Sequence, residues 1–228
     1  MTSEPSAPRE ARHSHALEPE LITDEQLKAE AEAANGLRQY DYAEKSVHQA
    51  LERPPFKLRP SLIYGLQREA LQGISAYAGV QRPGDVEIVN SEHEPVGAHL
   101  VPELLEGLCD YVNDNWDKMP VHLAAYVMWR LNWIHPFADG NGRTSRVLSF
   151  LVLSIKLGFV LPGSPTMPEL VIAHRHDYED ALDHADAAYK NDETIDVSKM
   201  ERLIESLLAK QLHHVYELAA GKLPLASS

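Results

Sequence analysis

His135-Pro136-Phe137-Ala138-Asp139-Gly140-Asn141-Gly142-Arg143-Thr144-Ser145-Arg146 lies between two apolar runs, Val121 to Ile134 and Val147 to Leu157. Both runs are long enough, and free enough of Gly and Pro, to be helices. Between them the spacing leaves a short loop with one imidazole, one carboxylate, two glycines around an asparagine, and then two arginines. Gly140 and Gly142 allow left-handed or tightly curled backbone, so that successive N–H groups can converge on one point. Asn141 is the residue other than Gly that best tolerates such geometry. The second helix is expected to begin at about Arg143, so its unpaired N–H groups and positive dipole end face the same point. That is an anion cradle of the kind that holds phosphates.

The charged residues extend the same chemistry. Arg143 and Arg146, three apart on one helix face, can add bidentate phosphate contacts. Asp139 is a hard oxygen ligand suited to Mg²⁺ shared with phosphate oxygens. His135, with an ordinary pKa near ~6.5, can take a proton at neutral pH. Any one of these residues would suit a plain helix–loop–helix turn. All of them in this order describe a phosphate site with a metal ligand and a general base.

The stretch resembles the signature of the Fic family, H-x-F-x-[D/E]-G-N-G-R-x-x-R, with every specified position met. More loosely, the resemblance extends from about Leu62 to about Leu182. It implies an all-α fold, an orthogonal helical bundle with one short β-hairpin flap. It also implies an activity, since most members move AMP from ATP to a protein hydroxyl and release pyrophosphate. His135 would be the catalytic base and Asp139 the Mg²⁺ ligand. Gly140, Asn141, Gly142, Arg143 and Arg146 would hold the phosphates of ATP, with Asn141's side chain in the anion hole. The partner implied is a target protein with a Ser, Thr or Tyr hydroxyl, and a homodimer is left open. Two alternatives stand beside this reading: a Fic-fold protein using another nucleotide or phosphate-containing donor, and a non-catalytic nucleotide-binding adaptor. A phosphorylating branch carries Lys at the second motif glycine, and Gly142 argues against that.

The composition narrows the class. A net charge of −13 argues against non-specific nucleic-acid binding, which needs a basic face. The sole cysteine, Cys109, lies in an apolar helical pattern and reads as a buried thiol. Ser154 and Lys156 interrupt the most apolar window, so no membrane span is expected. The N-terminus shows no signal-peptide pattern, and a cytoplasmic protein is the default expectation.

In chain order, residues 1–20 are rich in Pro, Ser, Ala and charge and read as a disordered tail. Residues 21–58 read as a helical extension, 59–190 as the Fic core, and 191–228 as a final helix and tail. A capping box at Thr23–Gln26 starts a helix at Asp24, and Asn35-Gly36 should end it. A second helix is expected from Tyr40 to Ala50, and another from Ser61 to Tyr77. Val86 to Val89 alternates and reads as a strand turned back by Asn90 to Pro95. Through the resemblance, Val86, Glu87 and Ile88 would form the target-binding flap. Helices are expected from Pro102 to Trp116, from Pro120 onward, and from Pro168 to Tyr189. Ser198–Glu201 matches a second capping box.

Two further comparisons with the family concern its variable parts. Many members carry an inhibitory helix, [S/T]-x-x-x-E-[G/N], whose Glu pairs with the second motif arginine. Glu30 and Glu32 are here followed by alanines, and Asn35 precedes Gly36, so that motif is degenerate or absent. The helix would instead pack on the core through Leu27 and Ala31. His174 to Leu182 resembles N-R-x-x-Y-x-x-A-L, which often borders the adenine pocket; Tyr178 could stack on a purine or serve as a core tyrosine.

Overall fold

The chain is described from a computed structural model that covers residues 12–16, 18–19 and 21–222. Its elements run β1 (His13–His15), α1 (Glu25–Glu52), α2 (Pro60–Leu71), β2 (Glu87–Val89), α3 (Val101–Asp114), α4 (Pro120–Ile134), α5 (Asn141–Leu157), α6 (Met167–Ala173), α7 (Arg175–Asp192) and α8 (Ser198–Ala219). The fold is helical, with a single two-stranded antiparallel element among the described residues.

The helix leading into the loop is the centre of the molecule. α4 is buried nearly all round, from Leu123 to Leu131 and again at Ile134. It packs chiefly on α5, with α3, α7 and α8 around it. From the loop, Phe137 turns back into this core with no exposed surface, its ring edge-on to Tyr64 at 5.9 Å. Truncating such a phenylalanine to alanine costs about 3–5 kcal/mol, so the loop is tied to the core at its middle. Cys109 is buried, and burial pushes its thiol up to about 12. No described helix is long and apolar enough to cross a membrane.

Several expected boundaries move, each for a tertiary reason. α1 does not stop at Asn35-Gly36 but runs unbroken to Glu52 and absorbs the segment Tyr40–Ala50. Asn35 is buried and donates its Nδ2–H to the Gln72 carbonyl at 3.0 Å, while Gln39 donates to the Leu66 carbonyl at 3.1 Å. Packing on α2 thus outweighs a local stop signal. α1 is capped by Asp24, which accepts from the Leu27 N–H at 2.9 Å. Leu27 itself is 58% exposed; the buried face is Asn35, Gln39, Ala43 and Val47. α2 ends at Leu71, short of Tyr77, where Gly73 takes φ +77°.

Farther along, one expected helix is two: α6 and α7 break at His174, whose Nδ1 lies 2.9 Å from the Leu170 carbonyl. The capping box at Ser198 is not formed either. Ser198 is already helical, and Glu201 sits 2.6 Å from His122 Nδ1 on α4 instead. The largest departure is at the N-terminus. Residues 13–15 of the expected disordered tail form β1, while residues 1–11 of that tail lie outside the described ones. β2 spans Glu87–Val89, and its partner strand is β1 rather than the chain that follows Asn90. The register is His13 with Val89, Ser14 with Ile88 and His15 with Glu87.

Candidate active site

Between α4 and α5 the chain reverses in two left-handed steps. His135 ends α4 at φ 52°, ψ 57°, and Gly140 precedes α5 at φ 80°. A left-handed conformation in a non-Gly residue needs outside support, and it comes from a residue the sequence did not mark. Arg82 is 1% exposed; its Nε–H donates to the His135 carbonyl at 2.8 Å and its Nη1–H to the Gly84 carbonyl at 2.9 Å. A further Nη2–H bond reaches the Val96 carbonyl, and the Arg82 backbone N–H donates to the Pro136 carbonyl at 2.9 Å. One buried guanidinium thereby fastens the approach to β2 to the loop between α4 and α5. Only its adjacency to Pro83 in a turn was visible in sequence.

The rest of the loop holds itself. α5 begins at Asn141, two residues earlier than expected, so Gly142 is helical and only Gly140 needs the left-handed region. Gly142 is required for space: a Cβ there would lie 3.1 Å from Arg146 Nη1. Asn141 is 1% exposed, and its carboxamide clamps Phe137. Oδ1 accepts from the Phe137 N–H at 3.0 Å, and Nδ2–H donates to the Phe137 carbonyl at 2.8 Å. Its side chain therefore shapes the loop, where the sequence assigned it to the anion hole. No side chain caps α5, so its first-turn amides and dipole end border open space.

That space is a cavity of about 370 Å³, within the range of small-molecule sites. His135, Asp139, Gly140, Asn141, Gly142, Arg143, Arg146 and Tyr178 all line it, so the motif residues converge as the sequence predicts. Ile88 of the flap lines it too, whereas Val86 is buried outside the strand and Glu87 is exposed. Arg143 pairs with Asp139 Oδ2 at 2.8 Å and with Glu32 at 3.6 Å. Among the described residues Arg146 forms no ion pair with a carboxylate; its hydrogen bond goes to Tyr178, and burial pushes its pKa down. The Tyr178 hydroxyl also accepts from Asn132 Nδ2–H at 2.9 Å. Tyr178 is thus both wall and anchor, with its hydroxyl spent on the polar network beneath the cavity.

His135 is set as a base by its contacts. Nδ1 lies 3.1 Å from the Asn132 carbonyl, which can only accept, so Nδ1 carries the proton and Nε2 the lone pair. Burial lowers the pKa to about 4, partly opposed by that backbone bond and reinforced by His93 and Arg82. The ring is neutral at neutral pH. At 2.8 Å from Nε2 stands the hydroxyl of Ser14, on β1, a residue no sequence signal had marked.

Asp139 meets the requirements for Mg²⁺ in one respect. It is the loop's carboxylate, half-exposed on the cavity wall, with Oδ1 accepting from the Gly140 N–H at 2.6 Å and Oδ2 shared with Arg143. No group of three or more His, Cys, Asp or Glu that could hold a metal occurs among the described residues. One carboxylate fits Mg²⁺ only when phosphate oxygens and water complete the octahedron.

Residues 57–153 match the model of the Fic/DOC family. The chain carries a Fic domain. In sequence it is similar to the protein adenylyltransferase fic-1 of Caenorhabditis elegans, 39% identical over 67 residues, which span 28% of this chain and 13% of that protein. It is similar also to the protein adenylyltransferase Fic of Nematostella vectensis, 30% identical over 103 residues, 43% of this chain and 22% of that one. The matched stretches are thus a minor part of both relatives. Its fold is similar to that of a Fic-domain-containing signaling protein from Bacteroides thetaiotaomicron, with a TM-score of 0.70 at 22% identity, covering 90% of this chain and 78% of that one. The BepC effector protein of Bartonella tribocorum, solved with bound AMPPNP, has a TM-score of 0.50 at 16% identity, over 82% of this chain and 88% of that one.

Proposed function

We propose that this Fic domain transfers AMP from Mg²⁺·ATP to a hydroxyl of a protein, releasing pyrophosphate. The observation that carries the reading is His135 Nε2, unprotonated and 2.8 Å from a serine hydroxyl, at the edge of a cavity bordered by the N-terminus of α5 and two arginines. A base, an anion cradle and a hydroxyl presented on a strand are what hydroxyl attack on a phosphate requires. The names of the sequence relatives and the AMPPNP bound to BepC agree with an ATP-derived donor.

His135 accepts the hydroxyl proton at Nε2 as the oxygen attacks the α-phosphate. A pKa of about 4 would make it a weak base in the empty site. A polyphosphate in the cavity brings negative charge close to the ring and raises that value toward neutrality. The amides of Gly142 and Arg143 and the guanidinium groups of Arg143 and Arg146 receive phosphate oxygens and fix which phosphorus faces the nucleophile. Asp139 would hold Mg²⁺, which when bound neutralises charge on the phosphates. Asp139 Oδ2 also pairs with Arg143 at 2.8 Å, so a metal held by that carboxylate would leave the guanidinium to phosphate.

The test is mass spectrometry of cell-lysate proteins after incubation with the enzyme, ATP and Mg²⁺. Target peptides should gain the mass of AMP with wild type and not with His135→Ala. Gain of a phosphate alone would replace this reading with phosphoryl transfer, and no gain at all would leave a nucleotide-binding adaptor.

A further inference from the structure

The serine beside His135 belongs to the chain itself. β1 lies antiparallel on β2, with Ser14 opposite Ile88, and both residues line the cavity. The segment is held at three places. Arg12 makes two hydrogen bonds to the Asp183 carboxylate of α7, at 2.8 and 2.7 Å. The ladder with β2 comes next. Beyond it, Glu18 accepts from the Ala76 N–H at 2.6 Å. Between the outer two, the Ser14 hydroxyl meets His135 Nε2 at 2.8 Å and Asn141 Nδ2 at 3.3 Å. Nε2 is an acceptor here and Nδ2–H a donor, so the hydroxyl proton is directed at the base and a lone pair is oriented by the amide.

Ser14 borders the cavity without filling it: the space bordered by Gly140, Gly142, Arg143 and Arg146 stays open. A segment that merely blocked the site would put a carboxylate or a bulky side chain over the arginines. This one offers the smallest hydroxyl side chain to the base. We propose that Ser14 is an acceptor for adenylyl transfer within the same chain, an inference that rests on the function proposed above. Ser14 Oγ forms a bond to the α-phosphorus of ATP as the bond from that phosphorus to the bridging oxygen of the β-phosphate breaks. Pyrophosphate leaves with the electron pair, and the serine proton passes to His135 Nε2.

The hold on the segment is weak enough to be reversible. A two-stranded ladder this short is marginal in water, and one part-exposed ion pair adds little to it. External protein strands can therefore compete for β2, and self-transfer is the reaction of the undisturbed site.

Incubation of the full chain with ATP and Mg²⁺, followed by tryptic mass spectrometry, reads the outcome. The peptide from His13 to Lys28 contains two hydroxyls, Ser14 and Thr23, and fragmentation separates them. AMP is expected on Ser14, with a rate constant unchanged on dilution of the protein. Ser14→Thr should keep the modification at position 14, and Arg12→Ala should slow it several-fold. If lysate proteins gain AMP in a His135-dependent way while Ser14 stays unmodified, the inference fails and the proposed function stands. A rate that falls in proportion to protein concentration would overturn transfer within one chain. If no protein gains AMP, this one included, both fail.

Discussion

The cavity has two walls of unequal construction. On one side, the loop between α4 and α5 is held from beneath by groups that are themselves buried: Phe137 in the core, Asn141 clamped on Phe137, and Arg82 bonded to three carbonyls. On the other, the flap consists of β2 and a three-residue strand from the N-terminus, tied to α7 by an ion pair whose carboxylate is 43% exposed. The first wall must keep a base, amides and arginines in register to a fraction of an ångström. On the proposed function, the second would admit different strands and release them. The difference in burial is therefore a division of labour: fixed chemistry opposite an exchangeable nucleophile.

The largest effect expected is on the fixed wall. His135→Ala should lower the rate of transfer by about 10²–10⁴-fold while leaving ATP affinity largely intact. Calorimetry showing lost affinity with transfer preserved would remove His135 from the role of base. The pH profile of kcat/KM, which reports the free enzyme, should stay flat below pH 6.5 and fall only as the pH approaches about 4, where the buried ring protonates. The unfolded chain takes up that proton near 6.5, so stability from the neutral ring is full above 6.5 and declines as pH falls toward 4.

Next in size is the support beneath that wall. Arg82→Met leaves the carbonyls of His135, Gly84 and Val96 without their donor, and should cost about 3 kcal/mol in urea unfolding. Arg12→Ala, on the other wall, should cost about 1 kcal/mol or less. Equal costs would erase the distinction between the walls.

Asp139→Ala should weaken ATP binding roughly tenfold in Mg²⁺ and hardly at all in its absence. Equal loss in both conditions would give Asp139 a structural role, through Gly140 and Arg143. The smallest effect concerns α1. Glu32 reaches Arg143, the first motif arginine, at 3.6 Å, with both side chains part-exposed. Asn35, by contrast, is turned to Gln72 and carries no charge. Glu32→Gly should change the self-labelling rate by no more than a few-fold; a hundredfold rise would make α1 an inhibitory helix.

The same contrast explains what could be read in the sequence. The loop was legible because its chemistry is local: the imidazole, the carboxylate, the glycines and the arginines lie within one short stretch, and their spacing is their geometry. Even there, Asn141 was read as a phosphate ligand, since nothing local shows that its carboxamide is taken by Phe137. Arg82 and Ser14 were illegible because their partners lie far away in the chain, at His135 in both cases. A three-residue strand has too little alternation to be seen against a polar tail. The stop signal at Asn35-Gly36 was real but outweighed by burial of Asn35 on α2.

On the proposed function, His135 directs a hydroxyl at the α-phosphate of ATP. Parallel reactions with ATP radiolabelled at the α- or the γ-phosphate test it most directly. Label from the α-phosphate should appear on protein with wild type and vanish with His135→Ala, and label from the γ-phosphate should not appear. Label from the γ-phosphate on protein, or α-label undiminished in His135→Ala, would contradict the account.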